Sequence, residues 1–137
     1  MSVYLGSCLC GTVTLEVAGG IHAIIHCHCS KCRKSSGTAF ATNGFVSAAA
    51  FRITSGSSAI RAYEMAEGRK RHFCGECGSP IFSSNRNDPT RLRLRLGILD
   101  SEISERPESH NFVSSAALWE DLDAVLPRYD AHEPGRA

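Results

Sequence analysis

Along the chain, apolar and polar residues alternate in short runs, and no long stretch carries the period of an amphipathic helix. In TVTLEV, residues 12–17, Val13, Leu15 and Val17 share one face while Thr12, Thr14 and Glu16 share the other. AGG at 18–20 reads as a turn, after which HAIIHC returns as a second strand. AFATNGFV and FRITSG predict further strands, with NG and SG as punctuation. IRAYEM, PIFSS and RLRLRLG continue the style, the last setting Leu92, Leu94 and Leu96 opposite Arg91, Arg93 and Arg95. Two short helices interrupt the strands. One covers about residues 30–35, with Ser30 as its N-cap and Gly37 beyond its end. The other covers WEDLDAVL, residues 119–126, closed by Pro127. The pattern predicts one mainly β domain over residues 1–130 and a flexible polar tail at 131–137.

Charge narrows the partners. Fifteen basic residues against fourteen acidic ones leave a formal net charge of +1, which offers no bulk field for nucleic acid or an anionic membrane. A local basic patch can still hold a small anion. The opening MSVYLGSCLC lacks a basic segment followed by a long apolar one, and no apolar run reaches membrane-spanning length. These features predict a soluble, cytoplasmic protein whose thiols stay reduced. Its seven cysteines are also an odd number, which cannot all pair as disulfides.

Every cysteine falls into one of three clusters. Cys8 and Cys10 form C-x-C, followed by Gly11; Cys27, Cys29 and Cys32 form C-x-C-x-x-C; Cys74 and Cys77 form C-x-x-C, followed by Gly78. Such spacings let thiolates converge on a metal with little chain ordering, and the glycines suit tight turns around it. A structural zinc is closed by four protein ligands, whereas a catalytic one keeps a position open. Seven ligands therefore divide into four and three. Cys8, Cys10, Cys74 and Cys77 form the closed structural site, tying together segments more than sixty positions apart. Cys27, Cys29 and Cys32 form the open, catalytic one.

Blander readings stand beside this one. A fourth ligand from His26, His28 or His72 would close the second site and make it structural. If the segment is extended, His26 and His28 alternate with Cys27 and Cys29 and point away; a supporting hydrogen bond is their other role. Lys31, Arg33 and Lys34 form either a solvated helix face or a set of contacts to an anionic ligand near the thiolates. Arg91, Arg93 and Arg95 are either an exposed strand face or partners for ligand carboxylates. Phe40, Phe45, Phe51, Phe73, Phe82 and Trp119 are expected in the core, with Phe40 and Phe45 also close enough to the trio to line a pocket.

The segments GSCLCGTVTLEV (6–17), HCHCSKCRKSSGTAF (26–40) and FCGECGSPIF (73–82) resemble the glutathione-dependent formaldehyde-activating family, which includes centromere protein V-like proteins. SHNFVSSAALW (109–119) and LPRYD (126–130) are similar to its closing segments, although Ala116 and Leu118 replace a usual basic residue and proline. The resemblance implies an Mss4-like β-tent of short antiparallel sheets held by two zinc ions, with the same division of the seven cysteines. It further implies a carbon–sulfur lyase-type enzyme resembling S-(hydroxymethyl)glutathione synthase, with glutathione as cosubstrate and formaldehyde or a related carbonyl as partner. The alternatives are a non-catalytic zinc module that binds a protein, and a redox enzyme of the methionine sulfoxide reductase type on the same fold.

Overall fold

The computed structural model describes residues 3–121 and 125–136. In chain order the strands are β1 (Val3–Ser7), β2 (Thr14–Ala18), β3 (His22–Cys27), β4 (Ala41–Ser47) and β5 (Phe51–Ser55). After these come β6 (Ile60–Ala66), β7 (Arg69–Cys74), β8 (Pro80–Asn85), β9 (Arg91–Arg95) and β10 (Ser109–Asn111). One α-helix, α1 (Ser30–Ser36), joins β3 to β4. The strands make a three-stranded sheet, β1-β2-β5, and a seven-stranded sheet, β10-β3-β4-β9-β8-β7-β6. The mainly β expectation is borne out. Among the described residues one pairing departs from the antiparallel rule: β10 runs parallel to β3, with Asn111 opposite Cys27. It arrives from a distant segment, so no hairpin dictates its sense.

The alternation read in TVTLEV places its apolar face as expected, with Val13, Leu15 and Val17 all buried. They join Ile21, Ile24, Val46, Ile81 and Leu94 in one core cluster, which also takes in Cys8 and Cys74. Side chains of both sheets therefore share a single apolar interior, each fully buried one contributing about 1.5–3 kcal/mol.

Four expectations are corrected. AGG does turn, with Gly19 at φ +81° and Gly20 at φ +85°, but it carries the chain from the small sheet to the large one. β2 already has β1 and β5 on its two edges, so β3 cannot pair with it. NG is not punctuation: Asn43 and Gly44 lie inside β4, which pairs with β3 and β9. A Cβ at Gly44 would stand 2.4 Å from Ile21 Cγ2, so glycine here permits close packing rather than a turn. Trp119 is 72% exposed instead of buried. Arg95 is buried, although Arg91 and Arg93 on the same face of β9 are exposed as expected, because it stands at the end of the strand beside the buried Asn43 and next to Cys27 and Cys32. The helix expected over 119–126 runs across residues 122–124, which lie outside the described residues. No helix among the described residues is long and apolar enough to cross a membrane.

A carboxylate fastens the two sheets. Glu105 accepts hydrogen bonds from the Tyr4 hydroxyl on β1 at 2.6 Å and from the Ile21 amide, just before β3, at 2.8 Å. The Tyr4 hydroxyl foremost, then the backbone amides against an opposing burial cost, hold its carboxyl down at about 2. A folded value below the unfolded one of about 4.3 means stability that is full above pH ~5 and lost as pH falls towards 2. Glu105→Gln is therefore expected to cost about 1 kcal/mol at pH 7, a figure reduced for partial exposure. Urea midpoints of the two proteins should stay apart from pH 7 down to about pH 5 and draw together as pH falls from there towards 2.

Candidate metal centre

Two tight loops build the first cluster. In the loop between β1 and β2, Gly11 N–H donates to Cys8 O at 3.0 Å, and between β7 and β8 Gly78 N–H donates to Cys74 O at 2.7 Å. Both glycines have positive φ, +80° and +82°, which these turns need. The four Sγ atoms of Cys8, Cys10, Cys74 and Cys77 all lie within 4.8 Å of one another. Cys8 Sγ is 3.6 Å from Cys10 Sγ, which is 3.9 Å from Cys74 Sγ. A tetrahedron with metal–sulfur bonds of ~2.3 Å has edges of about 3.8 Å, so the donor set fits one ion.

Hydrogen bonds prepare the ligands. The Ser79 hydroxyl, then the Ser79 and Cys10 amides, pull the Cys77 thiol down to about 5. The same hydroxyl accepts the Leu9 amide at 3.0 Å and so bridges the two loops. Burial pushes Cys74 up to about 11. A thiol so disfavoured as an anion ionises only against a cation, as metal binding supplies.

The second cluster sits at the end of β3 and the start of α1. Cys29, not Ser30, is the N-cap: its Sγ accepts the Cys32 amide at 3.3 Å. The helix start thereby points the Cys29 sulfur at Cys32, and Cys27 arrives from the last position of β3. All three Sγ atoms lie within 4.8 Å of one another, and no fourth Cys, His, Asp or Glu among the described residues joins them. Burial pushes Cys27 up to about 12, whereas for Cys29 the amides and neighbouring thiols outweigh burial and lower it. The trio also fits a metal ion, with fewer ligands than a closed tetrahedron requires.

The three histidines weighed as closing ligands are engaged elsewhere. His26 Nδ1 is 2.8 Å from Thr42 Oγ1, His28 Nε2 is 2.9 Å from His110 Nδ1, and His72 Nε2 is 2.9 Å from Ser84 Oγ. His26 and His28 pack with Phe40 and His110 behind the trio.

In front of the trio opens a cavity of about 560 Å³. One face of the large sheet forms its wall, and register explains which residues meet there. Phe45 lies opposite Arg93, Arg93 opposite Ser83, and Ser83 opposite Arg71, a row across four strands, with Asn43 opposite Arg95 beside it. Arg71 donates to Ser35 Oγ at 3.0 Å and reaches to 3.9 Å from Cys32 Sγ. Arg91 and Arg93 stack on Phe45, at 3.7 and 4.8 Å from the ring centroid. Burial, then nearby Arg71, lowers Arg95 to about 10, leaving it charged at neutral pH. Its neighbours include Cys32 and Cys27, whose thiolate forms would favour its charge.

Of the basic residues singled out in the sequence, Lys31, Arg91, Arg93 and Arg95 line this cavity, and Arg33 and Lys34 do not. The sequence reading passed over Arg69, Lys70, Arg71, Asn43 and Ser83, which do. The run RKR shortly before Cys74 was the available signal for two of them, since period two puts Arg69 and Arg71 on one face. All seven cysteines belong to the two clusters, so none stands apart as a separate redox nucleophile.

Fold and site together define a mainly β protein with two thiol clusters suited to metal, one closed and one opening onto a cationic cavity. Residues 3–115 match the family model of glutathione-dependent formaldehyde-activating enzymes, and the chain belongs to that family. A relative from Aspergillus flavus is 28% identical over 115 residues, covering 79% of this chain and 59% of its own length. One from Halomonas elongata is 24% identical over 126 residues, covering 87% and 80%. Both are provisionally named glutathione-dependent formaldehyde-activating enzymes. The chain thus spans about three-fifths of the fungal relative's length. A crystal structure of a Rhodobacter sphaeroides protein shares the fold at a TM-score of 0.63 with 22% identity, covering 78% of this chain and 99% of that one.

Proposed function

We propose that this chain is a zinc enzyme of the carbon–sulfur lyase type, joining glutathione or a similar thiol to formaldehyde or a related carbonyl. Cys8, Cys10, Cys74 and Cys77 would hold a structural zinc, and Cys27, Cys29 and Cys32 a catalytic one. The observation that carries this reading is the pairing of three convergent thiols with an adjoining cavity large enough for both reactants. The reaction balances without a redox step: a carbon–sulfur bond forms, the carbonyl π bond opens, and the thiol proton ends on oxygen.

A zinc ion with an open position favours the thiolate form of an incoming thiol and polarises a carbonyl oxygen. The chain's own residues do the rest. Arg71 and Arg95 hold positive charge beside the trio, where it stabilises negative charge developing on the carbonyl oxygen. Lys31 and Arg93 offer donors to a ligand's carboxylates. Phe45 holds the stacked Arg91 and Arg93 guanidiniums in place on the cavity wall. Holding both reactants here makes the addition effectively unimolecular.

Metal analysis is expected to find close to two zinc ions per chain. Exchange NMR of formaldehyde with glutathione should show an acceleration that scales with protein and disappears when the second zinc is stripped. A fully loaded protein that left glutathione, small uncharged thiols and anionic thiols all exchanging at the buffer rate would remove the enzymatic reading.

A further inference from the structure

We propose that the cavity contains a phosphate subsite centred on Ser83, so that the thiol it takes bears a phosphate group; this rests on the reading of the cavity as a thiol site.

The argument starts from unmatched charge. Seven cations line the cavity against a single carboxylate, Asp88, and that carboxylate is already paired with Arg91 at 2.5 Å. Among the described residues the other six cations form no ion pair. The whole chain carries a net charge of only +1, so the excess of positive over negative charge is gathered in this one place and the rest of the chain is net negative. Glutathione brings two carboxylates and an ammonium group. The ammonium would enter a field of its own sign with no free carboxylate to meet it, and several cations would stay unmatched.

A second observation locates the missing anion. Arg95 is only 9% exposed, lines the cavity, and has neither Nε nor Nη1 in a hydrogen bond. Both of those donors are buried, so the guanidinium is costly unless negative charge close by offsets it. Its remaining donor, Nη2, reaches Ser83 Oγ at 2.8 Å. That bond uses the oxygen as acceptor and leaves the Ser83 proton free to donate outward. Arg93 stands directly opposite Ser83 across the sheet and is held in place by Phe45. The Arg93 guanidinium and the Ser83 hydroxyl thus present donors on one face, with the charge of Arg95 buried directly behind the hydroxyl. A phosphate gathers up to two negative charges and three terminal oxygens on one centre, which suits such a set better than separate carboxylates do.

The test uses a matched pair of thiols that differ only in the phosphate. Calorimetric titration of the zinc-loaded protein with 4′-phosphopantetheine, pantetheine and glutathione is expected to rank the phosphorylated thiol first, on the order of tenfold above pantetheine. The advantage should shrink on raising salt and largely vanish in Arg93→Gln, whose zinc content and circular dichroism should be unchanged. Equal binding of the two pantetheines, tighter binding of glutathione, or an advantage untouched by Arg93→Gln would each overturn the assignment. Formaldehyde addition is measured separately on the same samples. A phosphothiol that binds with the expected preference but is not accelerated would refute the lyase reading and leave the phosphate subsite standing.

Discussion

Cys74→Ser is expected to leave a chain that does not reach the native fold. Cys74 is fully buried in the core cluster and its Sγ lies 3.9 Å from that of Cys10, across the junction of the two sheets. Binding of a structural zinc by thiolates is worth about 10–16 kcal/mol at neutral pH, of the same order as the whole stability of a domain. Losing one of four ligands removes several kcal/mol of that, and it also leaves a serine hydroxyl in an apolar interior. Circular dichroism should show loss of the native β signal, and most of the expressed protein should be insoluble. Chelation of the wild type should reproduce the defect. A soluble Cys74→Ser protein with a native spectrum and cooperative melting would show that the sheets hold together without this ion.

Cys29→Ser is expected to do the opposite: preserve the fold and silence the chemistry. Serine is among the best N-cap residues, so it can take over the bond that Cys29 Sγ accepts from the Cys32 amide. The cost to stability should stay within about 1 kcal/mol. As a metal ligand, however, a serine hydroxyl does not replace a thiolate. One zinc equivalent should be lost while the other remains, and catalysed exchange should fall on the order of 100-fold or more. Comparison with Cys29→Ala, which removes both the cap and the ligand, separates the two roles of this sulfur. Retention of both zinc ions by Cys29→Ser would show that the second cluster has a ligand outside the trio.

The two variants differ because the two clusters occupy different levels of the fold. Cys8 and Cys74 belong to the main core, while Cys27 and Cys32 form a small cluster of their own with Ala41, where β3 ends and β4 begins. A ligand lost from the first opens a seam between sheets. One lost from the second leaves the strands paired.

Local chemistry was legible wherever the signal was local. Thiols two or three positions apart can converge only on something between them, so the clusters could be found by spacing alone. Period two in TVTLEV fixed which side chains face inward, whatever the neighbouring strand turned out to be. The same logic misled at NG, because Asn-Gly marks a turn only when the flanking runs pair with each other. In β4 both runs belong to one strand, and Gly44 is needed for the approach of Ile21. At Arg95, alternation correctly opposed it to Leu94 but could not tell that this end of the arginine face would be buried beside Asn43 while Arg91 and Arg93 stay exposed.

The sequence by itself determined the three short-spaced thiol groups, the strand-rich class, and the inward faces of strands such as β2, since each depends on residues a few positions apart, whereas the meeting of Cys8 and Cys10 with Cys74 and Cys77 is long-range. Only the tertiary structure decided that Arg71 from β7 and Arg93 and Arg95 from β9 would stand around Ser83 before the trio. It also decided that Arg33 and Lys34, nearer in sequence, would not line that cavity. The reason is physical: strand order and register set which distant side chains share a sheet face, and both come from long-range pairing that no short window of residues contains.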